Sequence, residues 1–277
     1  SGNMWAGERA MKATEGIGLG ETTAVYDGPE GDLWELIMGE QIHIGGLKAS
    51  MELAERAAIG AGQRGVDLCC CNGAGMRFLV RFRNVASMVD IDATASVVER
   101  GRIRCREEGL ASRIHILHGD ACKSGLPDAE ADFVWGEDGW CYVADKSALI
   151  VEAVRIVRPG GIIAFTDWIE GAAGLNEVEV ERLLRFMEFP TLCALDDYRA
   201  LLEQNGCELL EAEDTGRFAP YVDLYLQMVD MQLTYDALKI LGFEMKAMEA
   251  VAGDMAFLRE LAHSGKIAQG RFVARRN

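Results

Sequence analysis

From residue 64 onward, short apolar runs alternate with amphipathic stretches. Gly65-Val66-Asp67-Leu68-Cys69 predicts a short strand running into a glycine-containing turn, and residues 76–82 continue as a helix. Residues 85–90 predict a second strand. Residues 93–108 predict a helix, with Asp92 as its N-cap and Gly109 just past its end. In residues 113–118, Ile114 and Ile116 alternate with His115, a third strand. Residues 132–135 give a fourth. Residues 146–157 give a helix with Ile150, Val154 and Val157 on one face. A tight turn, Arg158-Pro159-Gly160-Gly161, leads to a fifth strand at 162–166. Strands alternating with helices in this way predict a mostly parallel sheet covered on both faces.

Outside that region the pattern is weaker. Residues 1–32 are glycine-rich and mixed in polarity, and 23–32, with Tyr26, Asp27, Gly28 and Pro29, read as loop. Residues 50–59 predict a helix with Met51, Leu53 and Ala54 on its apolar side. Helices are predicted at 176–187 and 195–205, a sixth strand at 207–213, a long Met- and Leu-rich helical stretch at 222–259, and a final strand at 267–274.

The chain has 277 residues, 49% of them hydrophobic, enough for one large domain or a domain with a substantial insertion. A net charge of −16 argues against nucleic acid as a partner and mildly favours a neutral or cationic small substrate. Arg77, Arg81 and Arg83 cluster, and Arg100, Arg102, Arg104 and Arg106 read as a solvated helix face. Eight cysteines, including Cys69-Cys70-Cys71, contain no C-x-x-C pair, so no metal site is expected. Thiols inside apolar stretches suggest a reducing cytoplasm. No secretory signal or membrane-length apolar run is found, so no membrane partner is expected. The oligomeric state is left open.

In an open parallel sheet, ligands sit beyond the carboxyl ends of the strands. Four such ends carry suggestive chemistry. Gly73 and Gly75 lack a Cβ and let a ligand approach the backbone. The dinucleotide fingerprint G-x-G-x-x-G is absent, which argues against a nicotinamide or flavin dehydrogenase. Asp90 ends strand two about 20 residues after the loop, the spacing of a ribose acceptor, with Ile91 beside it. Asp92 competes for that role but is better placed as a helix N-cap. After strand three, Asp120 could accept from an adenine amine, and the adjacent backbone at Ala121 could donate to the ring. After strand four, Glu137 and Asp138 would face the reactive end of the ligand.

Residues 60–170 resemble the class I S-adenosylmethionine-dependent methyltransferases, whose first motif usually reads D-x-G-x-G-x-G. Asp67 matches the leading acidic position and Gly73 the last glycine, while Cys69 and Cys71 stand where the first two glycines usually are. The resemblance implies a Rossmann-like, seven-stranded, mostly parallel sheet whose last strand is antiparallel. It implies S-adenosylmethionine as cofactor, held by Asp67, Cys69, Cys71, Gly73, Asp90, Ile91, Asp120, Ala121 and Glu137. Trp34 and residues 39–46, 137–146 and 265–274 further resemble the sarcosine and dimethylglycine methyltransferases, although a His is common where Tyr142 stands. The match is looser between about 171 and 260.

That resemblance divides the chain into an N-terminal cap segment (1–50), the S-adenosylmethionine-binding core (51–170), helical cap elements with the sixth strand (171–260), and the last core strand (261–277). The methyl acceptor is expected to be a small molecule, in particular a small amine such as a glycine derivative. Oxygen or carbon methylation of a natural product or quinone is the alternative, as is cofactor binding without catalysis. An amine must lose a proton before it attacks, and His43, Glu137, Asp138 or Tyr142 could accept it or orient the amine. His43, Asp138, Trp140 and Tyr142 are the expected substrate contacts, the two aromatics forming a cation–π wall. His43, between two isoleucines, also fits a packed, hydrogen-bonded histidine.

Overall fold

The computed structural model describes residues 11–277. The described chain opens with β1 (Lys12–Ala13) and three helices, α1 (Leu19–Asp27), α2 (Pro29–Met38) and α3 (Gly46–Arg56). The alternating part follows: β2 (Arg64–Leu68), α4 (Ala74–Phe82), β3 (Ser87–Asp92), α5 (Ala95–Glu107), β4 (Ile114–His118) and β5 (Ala131–Glu137). A single 3-10 turn (Trp140–Tyr142), α6 (Lys146–Ile156) and β6 (Val157–Glu170) complete it. Then come α7 (Glu177–Met187), β7 (Thr191–Leu192), α8 (Leu195–Gln204), β8 (Cys207–Asp214) and α9 (Phe218–Met228). A π-helical turn (Val229–Leu233), α10 (Thr234–Ile240), α11 (Met245–His263) and β9 (Ile267–Arg276) end the chain.

Seven strands form one sheet in the order β4-β3-β2-β5-β6-β9-β8. The pairs β3–β4, β2–β3, β2–β5 and β5–β6 are parallel, and β9 runs antiparallel to both β6 and β8. This is the expected α/β Rossmann-like architecture. Neighbouring residues of a strand point to opposite faces, so a sheet covered twice needs apolar residues at consecutive positions. β5 shows this directly: Phe133, Val134 and Trp135 are all wholly buried. Val134 packs with Val66, Phe165, Leu149 and Tyr198 on one face. Phe133 and Trp135 pack with Met88, Leu53, Met76 and Leu79 on the other. A third apolar cluster joins Trp168, Leu184, Phe189, Phe218 and Leu258 among α7, α9 and α11.

Four local readings change. Residues 23–32 are not loop: α1 and α2 abut at Gly28, and Pro29 is the first residue of α2. There its missing N–H costs nothing and its fixed φ suits the helix, so Gly-Pro punctuates two helices. β3 extends two residues beyond the predicted end, and α5 starts at Ala95 with Thr94 as N-cap. Asp92 therefore belongs to the strand, with its Oδ1 accepting the Thr94 N–H at 2.8 Å. β6 reaches Glu170 because β9 pairs with it from Ile162 to Glu170. The 222–259 stretch is broken by the π turn and again at Gly242 and Phe243, whose φ values are +65° and +60°.

Candidate functional site

The turn after β2 is built on three left-handed residues, Cys69 (φ +66°), Cys71 (φ +54°) and Gly73 (φ +79°). Its N–H groups are distributed over β3: Cys69 donates to Ile91 O at 3.0 Å, Cys70 to Asp90 Oδ1 at 3.2 Å, and Cys71 to Asp92 Oδ2 at 3.2 Å. Gly73 then caps α4, and Asn72 ties the turn to the N-terminal segment through Glu40 O at 2.9 Å.

Asp90 and Asp67 face each other across paired strands and are almost wholly buried. Asp90 Oδ2 and Asp67 Oδ1 have no hydrogen-bond partner among the described residues. Burial pushes both carboxyls well above the usual range; the Asp90 charge adds to the effect on Asp67, and the Asp92 charge to that on Asp90. Burial also raises Asp92, against the opposing N–H bonds from Thr94 and Cys71.

A cavity of about 370 Å³ lies beyond the carboxyl ends of β2 to β5, within the roughly 300–1,000 Å³ of small-molecule sites. Of the residues expected to bind cofactor, Cys69, Cys71, Asp120, Ala121 and Glu137 line it. Asp67, Gly73, Asp90 and Ile91 do not line it. Asp90 sits one pleat back, under the turn it supports, whereas Asp92 at the strand end lines the cavity. Sequence reasoning also missed Cys122 and the α1 residues Leu19, Thr22 and Tyr26 in the cavity wall. The signal for Asp92 was a strand two residues longer; that for α1 was proline at a helix start.

The set of hydrogen-bond acceptors suits an adenosine-containing ligand. The Asp92 carboxylate stands at one strand end, and Asp120, with Oδ1 already taking the Cys122 N–H at 2.8 Å, stands at the next. The small side chains of Cys69 and Cys71 line the part between β2 and β5.

A second chamber, of about 20 Å³, shares Tyr26, Ile42, Asp138 and Tyr142 with the first. Trp34, Met38, His43, Trp168, Met187 and Phe189 complete its wall. The Tyr26 hydroxyl lies 3.3 Å from that of Tyr142, and their rings meet edge-on at 5.6 Å. Burial drives both phenols well above their ordinary range, so both stay protonated.

His43 Nε2 lies 3.1 Å from Ser50 Oγ and 3.3 Å from Glu137 Oε1. Ser50 donates to the same Glu137 oxygen at 2.6 Å, and Trp135 Nε1 donates to the other at 3.1 Å. Asp138, at φ +52°, accepts the Ile44 N–H at 2.8 Å and the Gln269 amide at 2.9 Å and 3.0 Å. Its carboxylate thereby binds the N-terminal segment and β9 to the end of β5.

Trp140 lines neither cavity. It is wholly buried, donates Nε1 to Leu68 O at 3.1 Å and stacks on Phe165 at 4.0 Å. The expected aromatic wall is instead made by Tyr142 with Tyr26, Trp34, Trp168 and Phe189. Among the described residues no cluster of His, Cys, Asp and Glu could hold a metal ion. No described helix is long and apolar enough to cross a membrane.

Comparison with known proteins agrees with this geometry. Residues 66–165 match a family model described as a methyltransferase domain. The chain is 29% identical to 27-O-demethylrifamycin SV methyltransferase of Amycolatopsis mediterranei, over 68% of this chain and 74% of that protein. It is 26% identical to the sarcosine/dimethylglycine N-methyltransferase of Aphanothece halophytica, over 65% of this chain and 64% of that protein, just under two thirds of its length. The fold is that of phosphoethanolamine N-methyltransferase 2 of Haemonchus contortus, at a TM-score of 0.81 and 18% identity, covering 92% of this chain and 60% of the other. Residues 66–165 thus form a methyltransferase domain, and the chain is similar to S-adenosylmethionine-dependent methyltransferases, the sarcosine/dimethylglycine N-methyltransferase group among them.

Proposed function

We propose that this methyltransferase acts on a small amine held where the cofactor cavity meets the aromatic chamber, whose own volume of about 20 Å³ admits only a group of about the size of a water. The observation that carries the reading is that the chamber adjoins the cofactor cavity through Tyr26, Ile42, Asp138 and Tyr142 and has five aromatic side chains in its wall. S-adenosylmethionine, when bound, supplies a methyl group activated by its sulfonium. In the proposed arrangement, Asp92 accepts the ribose hydroxyls, Asp120 and the Ala121 backbone take the adenine, and Cys69, Cys71 and Glu137 line the methionine end.

The protein's part in the chemistry is alignment and proton management. Tyr26 and Tyr142 remain protonated and do not serve as bases; Tyr26 donates to Tyr142, whose own hydroxyl proton is left to orient the acceptor. Asp138 has its carboxylate committed to Ile44 and Gln269. His43, which lines the chamber, directs Nε2 to Ser50 and Glu137, so its Nδ1, with only a long 3.4 Å contact to Ile44 O, is the nitrogen left to take the amine proton. The ring faces would stabilise positive charge developing on nitrogen, by roughly 0.5–2 kcal/mol per cation–π contact.

The test is methyl transfer to glycine, sarcosine, dimethylglycine, ethanolamine derivatives and simple phenols, read as S-adenosylhomocysteine released. Turnover of an amine, abolished or strongly lowered in His43→Ala, is the expected result. Turnover of a phenol with none of the amines would replace the amine by the oxygen-methylation alternative.

A further inference from the structure

The turn that carries Tyr142 is held by two buried side chains, Lys146 and Asp167, that reach it from opposite sides. Lys146, the first residue of α6, is 1% exposed. Its Nζ donates to Cys141 O at 3.3 Å, Val143 O at 2.5 Å and Thr191 Oγ1 at 2.9 Å. The carbonyls on either side of Tyr142 therefore converge on one ammonium. Asp167 of β6 is wholly buried. Its Oδ1 accepts the Cys141 N–H at 3.0 Å, and its Oδ2 accepts the Tyr198 hydroxyl at 2.6 Å. The Cys141 C=O thus ends on a buried ammonium and the Cys141 N–H on a buried carboxyl.

A buried ammonium is costly unless it is paired and hydrogen-bonded, and a helix start does not require one. Asp145 already caps α6 by accepting the Ala148 N–H at 2.8 Å. The charge is thus not needed to start the helix. What it does hold is the pair of carbonyls flanking the one residue of the turn, Tyr142, that lines both cavities. The Lys146 charge also lowers the Asp167 carboxyl against the effect of burial, so the two groups sense each other.

We propose that Lys146 and Asp167 are positioning residues, which fix the Tyr142 hydroxyl against the acceptor without touching it; this rests on the reading of the place where the cofactor cavity meets the aromatic chamber as the acceptor site. Neither residue lines either cavity.

The experiment is a double-mutant cycle of Lys146→Met and Tyr142→Phe, measured as kcat/KM for the acceptor that the panel turns over. Each single variant should lose about tenfold or more. The double variant should be no worse than the weaker single, within about twofold, because the interaction is removed only once. Cofactor affinity measured by calorimetry should stay within about threefold, so the loss is assigned to the acceptor side. Asp167→Ala removes the acceptor for the Cys141 N–H, and it gives the same cycle should Lys146→Met not fold. Losses that multiply, or a Lys146→Met enzyme with unchanged kinetics, would overturn the positioning role alone. An unchanged Tyr142→Phe enzyme would overturn the acceptor-site reading together with it.

Discussion

Replacing Cys71 by glycine should make the protein more stable. Cys71 holds φ at +54° and Cys69 at +66°. A left-handed backbone costs a residue with a Cβ roughly 1–2 kcal/mol. Glycine removes that cost but returns about 0.5–1 kcal/mol through the greater freedom of its unfolded chain. The balance is a gain of about 0.5–1 kcal/mol per site, or roughly 2 °C in melting temperature for a chain of this size. Burial keeps both thiols protonated, so no ion pair is lost with them. The Cys71 N–H bond to Asp92 belongs to the backbone and survives the change. The assay is urea unfolding of wild type, Cys71→Gly, Cys69→Gly and Cys71→Ala. Alanine keeps the Cβ and therefore the strain, so that variant should gain nothing. A Cys71→Gly protein less stable than wild type by more than about 0.5 kcal/mol, beside a neutral alanine variant, would refute the strain argument.

Asp167 gives a pH test. Burial raises its carboxyl to about 7 despite Lys146, so its neutral form is favoured in the folded state. The sign follows: its contribution to stability is present in acid and is lost as pH rises from about 4 through 7. At 1.36 kcal/mol per pH unit the change is roughly 4 kcal/mol, so Asp167→Asn should gain on wild type across that window; parallel unfolding curves at all pH values would count against it. Trp140→Phe should cost about 1–3 kcal/mol by stranding Leu68 O, with little effect on acceptor KM; a KM change without a stability change would return Trp140 to the acceptor site. Asp90→Asn should leave cofactor affinity within about threefold, since the amide can still accept the Cys70 N–H and can donate toward Asp67. A large loss measured by calorimetry would restore a direct ribose contact to Asp90.

What the sequence made legible followed from periodicity. Residues 64–166 alternate because the central strands are buried on two faces, while the edge strand β4 and the helices are buried on one, and that signal survives without knowledge of the fold. It failed where two structures share one local pattern. Gly28-Pro29 marks a turn as readily as a helix start, and that hid α1 and with it Tyr26. Asp90 and Asp92 are both acidic and lie on one face of the same strand, so only the true strand end tells support from contact. Trp140 and Tyr142 lie two residues apart in one turn, yet one packs on Phe165 and the other faces the cavity. The pairing of β1 with β7 involves two residues on each side, too few to show a period.

The central claim, that the cavity beyond β2 to β5 binds S-adenosylmethionine through Asp92, is tested most directly by calorimetric titration of that cofactor into wild type and Asp92→Ala. Wild type should bind, and the variant should bind about 10- to 100-fold more weakly, the cost of leaving hydrogen-bonded groups without a partner. Equal affinity for the two proteins would contradict the assignment.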